Sequence, residues 1–579
     1  MHSFSPILTD FFALHQNHFY LVTQEPFLCC TILMISSRYH TLPGPGGSSR
    51  AFFIHHRLWQ HCQHLLLRVT LGQEKISKAK TRNIGSIEAL LLMSEWHPRS
   101  LQFPPETDGW DSDYIMTNLD ARDPPPPEEL PVSSRWREDV VEPTKRFERM
   151  SWMVLSSALA LAHELGAFDP NTRISKPDDL VDIDAEIYLE HLEVRRQRLP
   201  SLLFVMINAL SSRIGCTSPM PSAVAVTVPE SAFGLQEASG KEWALVMRSW
   251  IELTEMTSSI MDTLFPRLNS TFTRTSADTF MSIVEEKQIL LGGWRQRNMT
   301  MIGGKYHIGA VPIQLTLCFT APGTTTDVLF IEFQHLRILV NSIGMQWVVQ
   351  KVLSRHPRDE QSTIDHSFIE KARQINLTGR EYGFIEEVID GCCQTLERIA
   401  TLGSTGSLHY SPMRVFFRAI SSSIFLMKAL ALGVRNGKLH EALQILDRAI
   451  AALKESNLDD VHLKSQYASL LHTHTARLRR SLVLSNPGST IPRPRVAEPV
   501  EVSHTPEISS SASHPGPLER EGMGNLPLDL QDLPDFGVNE WLSLPFEPSM
   551  APFGPEEGDL GLRLDGVDLD LDFLWQLPP

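Results

Sequence analysis

The chain has 579 residues, 42% of them hydrophobic and 21% charged, with a formal net charge of −16. That length allows two to four compact units of about 150 residues each, and the acidic balance argues against a broadly basic nucleic-acid surface. Seven cysteines without a single C-x-x-C pair exclude a disulfide framework and fit buried, reduced thiols in a cytosolic or nuclear protein.

At the N-terminus, Asp10 and the lack of a basic flank argue against a signal peptide for the apolar run at 27–35. The longest apolar runs, 199–210 and 424–434, are too short for a membrane span or carry charge, as Lys428 does. A soluble intracellular protein is expected. From residue 6 to 484 the apolar residues recur at spacings of three and four, which predicts an all-α body. Predicted helices cover 27–38, 84–96, 152–168, 199–213, 328–353, 384–402, 414–432 and 440–453. The helix at 152–168 is apolar around most of its circumference and is predicted to be buried, with Gly166 as its C′ residue before Asp169 and Pro170.

Two loop insertions interrupt this body. Residues 103–132 hold Pro104, Pro105 and the run from Pro124 to Pro127. Residues 303–326 are rich in Gly and Thr, carry almost no charge and read as intron sequence retained in a gene model. The organisation expected is a helical body over 1–484, a disordered Pro/Ser-rich linker over 485–520, and an acidic tail over 521–579. The final 95 residues hold 15 of the 39 prolines, which is what separates linker and tail from the body.

Candidate chemistry inside the body is weak. His55, His56, His61 and His64 cluster, and the last two share a helical face. No carboxylate or cysteine completes a metal set, so with Trp59, Leu65 and Leu66 they read as an amphipathic helix. Asp108, Asp111 and Asp113 lack the distant ligand of an EF-hand and read as a polar loop. His163-Glu164 lacks a second zincin histidine, and no nucleophile elbow, Walker A loop or G-x-G-x-x-G occurs. The basic groups Lys75, Lys78, Lys80, Arg82 and Arg477, Arg479, Arg480 read as solvated faces. No catalytic, cofactor-binding or metal-ligating residue is expected in this chain, and an enzyme is not.

The tail is different. Residues 521–579 carry 13 acidic side chains against one basic residue, Arg563, while the rest of the chain is close to electroneutral. Large apolar residues are interleaved with the acids: Phe536, Trp541, Leu542, Phe546, Leu569, Leu571, Phe573, Leu574 and Trp575. Acids at alternate positions repel and prolines interrupt helices and ladders, so the apolar groups stay available to a partner's groove. This is the composition of a transactivation segment, with those nine residues as the contacts to a coactivator or the general transcription machinery.

Several segments resemble the middle regulatory region of fungal zinc-cluster (Zn2Cys6) transcription factors. The most specific is Arg146-Phe147-Glu148-Arg149-Met150-Ser151-Trp152-Met153, running on to Ala158-Leu159-Ala160-Leu161-Ala162-His163-Glu164-Leu165-Gly166. Glu25-Pro26-Phe27-Leu28, Ile87-Glu88-Ala89-Leu90-Leu91-Leu92, Arg195-Arg196-Gln197-Arg198 and Ser211-Ser212-Arg213-Ile214-Gly215 follow the family's order. The resemblance implies a nuclear, fungal, all-helical regulatory (middle homology) domain joined to an activating segment and to a zinc-binding module that places a helix in the major groove. None of the seven cysteines here forms that module. The expectations are therefore a regulator of RNA polymerase II genes, an activator, whose DNA-binding part is missing from a truncated gene model, with zinc only in a full-length relative and DNA reached only through that upstream module. No membrane is expected, and homodimerisation is a possible further association. The alternative is a helical scaffold acting as a co-regulator that does not bind DNA.

Overall fold

The computed structural model describes residues 4–40, 42–73, 80–103, 142–169, 185–221, 228, 238–264, 277–302, 305–308, 324–355, 376–434, 436–455 and 463–484. The described chain is all-α apart from one short hairpin. Its helices are α1 (His18–Gln24), α2 (Pro26–Tyr39), α3 (Gly47–Leu71), α4 (Ile84–Glu95), α5 (Glu142–Glu164), α6 (Ala185–Arg213) and α7 (Ala238–Leu264), then α8 (Ala277–Asn298), α9 (Thr324–Arg355), α10 (Gly379–Ser404), α11 (Met413–Ala431), α12 (Asn436–Glu455) and α13 (Leu463–Leu484). Strands β1 (Met299–Ile302) and β2 (Lys305–Ile308) pair antiparallel, Met299 opposite Ile308 and Ile302 opposite Lys305.

Local chemistry sets the helix boundaries. Asn83 caps α4, its side chain accepting from the Ser86 amide at 2.9 Å. Thr378 and Glu381 form a reciprocal capping box, with Glu381 N donating to Thr378 Oγ1 at 3.3 Å and Thr378 N to Glu381 Oε2 at 2.7 Å, so α10 starts five residues before the predicted 384. Gly166 ends α5 as expected: its φ is +65°, and the Ala167 amide donates to the Ala162 carbonyl at 2.9 Å. At Glu25 the chain turns through 117° between α1 and α2, because Pro26 opens α2 and drives the residue before it out of the helical region.

Three expectations need correction. The predicted buried helix around 152–168 is only half-buried, since Met153, Ala160 and His163 on α5 face outward. The helix buried on every side is α4, all twelve of whose residues are buried, Glu88 and Glu95 included. The helix predicted over 199–213 extends back to Ala185. Pro200 lies inside α6, where it removes one amide donor and leaves the helix continuous. Part of the 303–326 insertion also has defined structure, in β2 and in the first turn of α9. The 103–132 insertion lies outside the described residues from 104 onward.

Helix α4 packs on α2, α5 and α6, while α9 packs on α7, α8, α10 and α11. One hydrophobic cluster runs through both groups. Polar bonds of long sequence separation join them: Trp96 Nε1 donates to the Tyr410 carbonyl at 3.1 Å, and the Thr144 and Tyr467 hydroxyls meet at 2.6 Å. Helices α9 and α10 approach each other closely. A Cβ on Gly344 would sit 2.4 Å from Phe384 Cγ, and one on Gly391 would sit 2.9 Å from Ile338 Cγ1. Gly344→Ala is therefore expected to push the two helices apart at a cost of about 1–3 kcal/mol, read as a lowered urea midpoint with unchanged slope. An unchanged midpoint would show that the Phe384 ring gives way freely.

Candidate functional site

Three of the sequence segments singled out above meet at one point. Glu25 at the bend before α2, Glu88 in the middle of α4 and Arg195 in α6 form a buried ionic cluster whose side chains are no more than 2% exposed. Arg195 Nη1 and Nη2 donate to the two oxygens of Glu25, both at 2.6 Å, and Nε and Nη2 donate to Glu88 at 2.8 and 2.6 Å. Tyr188, two turns upstream on α6, donates its hydroxyl to Glu25 Oε1 at 2.8 Å and stacks on Tyr20, ring centroids 4.9 Å apart. Phe12 covers the guanidinium face at 5.0 Å. Burial pushes the Glu88 carboxyl up, and only partly is this offset by Arg195. Burial alone would lower the Arg195 pKa, but Glu25 and Glu88 together hold it well above its ordinary value. Gly85 completes the site, because a Cβ there would strike the Glu25 carboxylate.

A second charged layer joins the other two segments. Arg213 at the end of α6 pairs with Glu148 of α5 at 3.0 Å and lies over Phe417, 5.2 Å from its centroid. Arg414 of α11 lies 2.9 Å from Glu95 of α4, without the geometry of a hydrogen bond, and 4.8 Å over Trp250. Arg418, one turn on, donates to Glu332 of α9 at 2.9 and 3.0 Å. Between them lies a cavity of about 40 Å³, lined among others by Arg213, Trp250, Met261, Glu332, His335 and Arg418. His335 Nδ1 has no protein partner there, and burial, then Arg418 and Arg213, hold its imidazole neutral by lowering its pKa well below the usual value. A cavity of this size takes two or three waters and is far smaller than the several hundred Å³ of a drug-sized ligand site. Its groups solvate one another; they do not converge on a reacting atom.

The remaining titratable groups have structural roles. Arg196 donates to the Asp169 carbonyl at 3.2 Å, just past the end of α5. Arg198 lies 4.5 Å over Trp243, and burial lowers its pKa to about 10. Burial raises the pKa of Cys29, Cys30, Cys62, Cys392 and Cys393, to about 12 for Cys62 and Cys393, so these thiols stay protonated and are poor nucleophiles. His55 is buried against Ser37 and the Met34 carbonyl, whereas His56, His61 and His64 are exposed on α3. No group of three metal-ligating side chains occurs among the described residues, and none of the helices there is long and apolar enough alone to cross a membrane.

Lys428, which interrupts the apolar run of α11, is buried, and its pKa falls to about 7. The unfolded chain, with a lysine near 10.4, binds more protons than the folded one between about pH 7 and 10.5. Stability therefore rises with pH across that window, and the full penalty is present below pH 7. Lys428→Met is expected to raise stability at pH 6.5 by on the order of 3 kcal/mol and to flatten the pH dependence of the melting temperature. A variant whose melting curve keeps its slope would assign that slope to another group.

The nine predicted transactivation residues, Phe536, Trp541, Leu542, Phe546, Leu569, Leu571, Phe573, Leu574 and Trp575, lie outside the described residues, as do Asp108, Asp111, Asp113, Lys75 and Lys78. Of the basic groups, Arg82 pairs with Glu164 and Arg479 with Asp447. The ionic clusters were in view as sequence segments, but their pairing was not. A signal did exist: Glu88 and Glu95 interrupt a twelve-residue apolar helix, and a carboxylate in such a helix needs a cation.

No family model matches the chain, and no solved structure matches it. Over 586 aligned positions, covering 99% of this chain and 73% of the relative, it is 42% identical to the transcription factor hmgR of Aspergillus fumigatus. The chain belongs to the family of fungal transcription factors that includes hmgR.

Proposed function

We propose that this chain is a transcriptional activator of RNA polymerase II genes acting in the nucleus. Its helical body is the regulatory domain, and residues 521–579 are the activating segment. The observation that carries this reading is the concentration of 13 acidic residues, interleaved with the nine large apolar residues named above, in the tail of a chain from a transcription factor family. The acids keep the segment soluble and steer it toward basic surfaces, while the rings and leucines supply the area that a coactivator's groove buries. The body contributes rigidity, and the reading asks no catalysis of it.

DNA contact is proposed to come from a zinc-cluster module of the Zn2Cys6 type, with zinc belonging to that module. Within these 579 residues the seven cysteines supply no C-x-x-C pair to build one. The test is transcriptional. Removing the codons for 521–579 from the chromosomal gene is expected to leave protein level and nuclear location intact and to lower the transcripts of a defined gene set, measured by RNA sequencing. An unchanged transcriptome would end this reading.

A further inference from the structure

Ten of the eighteen large apolar side chains exposed among the described residues lie between Leu14 and Leu71, so the outward-facing apolar surface is concentrated at one end of the sequence. Helix α3 shows it most clearly. Its inner face, with His55, Trp59, Cys62, Leu65 and Val69, is buried, and α2 is the helix it packs on. Its outer face carries Phe53, Arg57, Gln60, His64, Leu67 and Leu71, all exposed and spaced four, three, four, three and four residues apart, a single stripe along the helix. Phe53 is 63% exposed and Leu71 61%.

Charge sharpens the picture. From residue 26 to 73 the chain has no Asp or Glu but four arginines and five histidines. Arg57 reaches only Gln60, at 3.4 Å, and neither it nor Arg68 pairs with a carboxylate among the described residues. A surface that is apolar at both ends and cationic between them calls for a partner that is apolar and acidic. The segment of this chain with that composition is 521–579, whose charges are 13 negative and one positive. The 36 residues from 485 to 520 can extend to roughly 120 Å, at about 3.3 Å each, against a radius of gyration near 23 Å for a body of this length. The tail can therefore reach any face of the body, and tethering raises its effective concentration to about the millimolar range.

We propose that the outer face of α3 docks the acidic tail of the same chain, its rings and leucines against Phe53, Leu67 and Leu71 and its carboxylates against Arg57, Arg68 and the intervening histidines. The docked tail hides the side chains that would engage a coactivator, so the body holds the activating segment in check. This regulation rests on the activation reading above, whereas the docking itself does not.

Two measurements separate them. In purified full-length protein, benzoylphenylalanine in place of Phe53 is illuminated and its cross-linked peptides are identified by mass spectrometry. Peptides from 521–579 are expected, in a yield that falls in 1 M salt. Peptides from α3 of a second copy, or no cross-linked peptide at all, would overturn the docking. In cells, the full chain is tethered to a reporter through an unrelated DNA-binding domain, with Phe53→Ser and Arg57→Glu introduced together. Both side chains are exposed, so folding is retained, and reporter output is expected to rise severalfold; unchanged output would overturn the restraint. Residues 521–579 tethered alone judge the activation reading separately. If they are silent while the cross-link to the tail persists, the activation reading fails and the docking stands.

Discussion

Arg195→Met is expected to destabilise the body by about 3–5 kcal/mol, the largest effect of any single substitution proposed for it. Four charge-assisted bonds of 2.6–2.8 Å disappear at once, but that is the smaller part. The substitution leaves two carboxylates, Glu25 and Glu88, buried side by side with no cation between them, and the Tyr188 hydroxyl satisfies only one oxygen of Glu25. The folded protein must then protonate one or both, so the variant should regain stability as pH falls toward 5, the opposite of ordinary acid denaturation. Arg195→Lys restores the charge without the fork that bridges two carboxylates and should recover only part of the loss. Replacing all three with apolar residues of similar volume is expected to come within about 1–2 kcal/mol of the parent. Urea unfolding at pH 5 and pH 8 checks the series. A single Arg195→Met cost below about 1 kcal/mol, equal at both values, would mean that water reaches the cluster.

Phe573→Ala together with Trp575→Ala is expected to remove most of the transcriptional output of the tail. The two rings flank Leu574 in a stretch where Asp568, Asp570 and Asp572 alternate with Leu569 and Leu571, and large aromatic side chains carry a disproportionate share of binding energy at interfaces. The three aspartates contribute chiefly through long-range attraction. Their replacement by asparagine should therefore slow recruitment and make it less salt-sensitive, with a smaller loss of output than the aromatic pair gives. A reporter driven by the tail, with protein levels matched by immunoblot, distinguishes the two. Equal losses from the acids and the rings would make the contact electrostatic.

Much of this fold could be read from the chain because its helices are amphipathic or fully apolar over many turns. The predicted segments at 27–38, 84–96 and 328–353 fall on α2, α4 and α9 to within a few residues at each end. The misplaced boundaries have different causes. Thr378 and Glu381 carry α10 back to Gly379, and Pro200 sits inside α6 because the cluster around Arg195 and the stack of Tyr188 on Tyr20 hold the preceding turns in place. Helices α7, α8 and α13 fall within the body predicted to be helical, though their limits were not drawn. Half-burial of α5 could not be seen from its apolar circumference, since which side faces neighbours depends on α4 and α6 rather than on composition. The charged core was the least legible part. Glu25, Glu88 and Arg195 are up to 170 residues apart, and neither helical period nor residue type says which carboxylate meets which guanidinium.

Recruitment of transcription machinery by the last 59 residues is the step on which the proposed function depends. It is tested most directly by fusing 521–579 to an unrelated DNA-binding domain and measuring transcript from a reporter carrying that domain's sites. Transcript well above the level given by the DNA-binding domain alone is predicted. Transcript equal to that background, from a fusion shown to be expressed and bound at the reporter, would contradict the account.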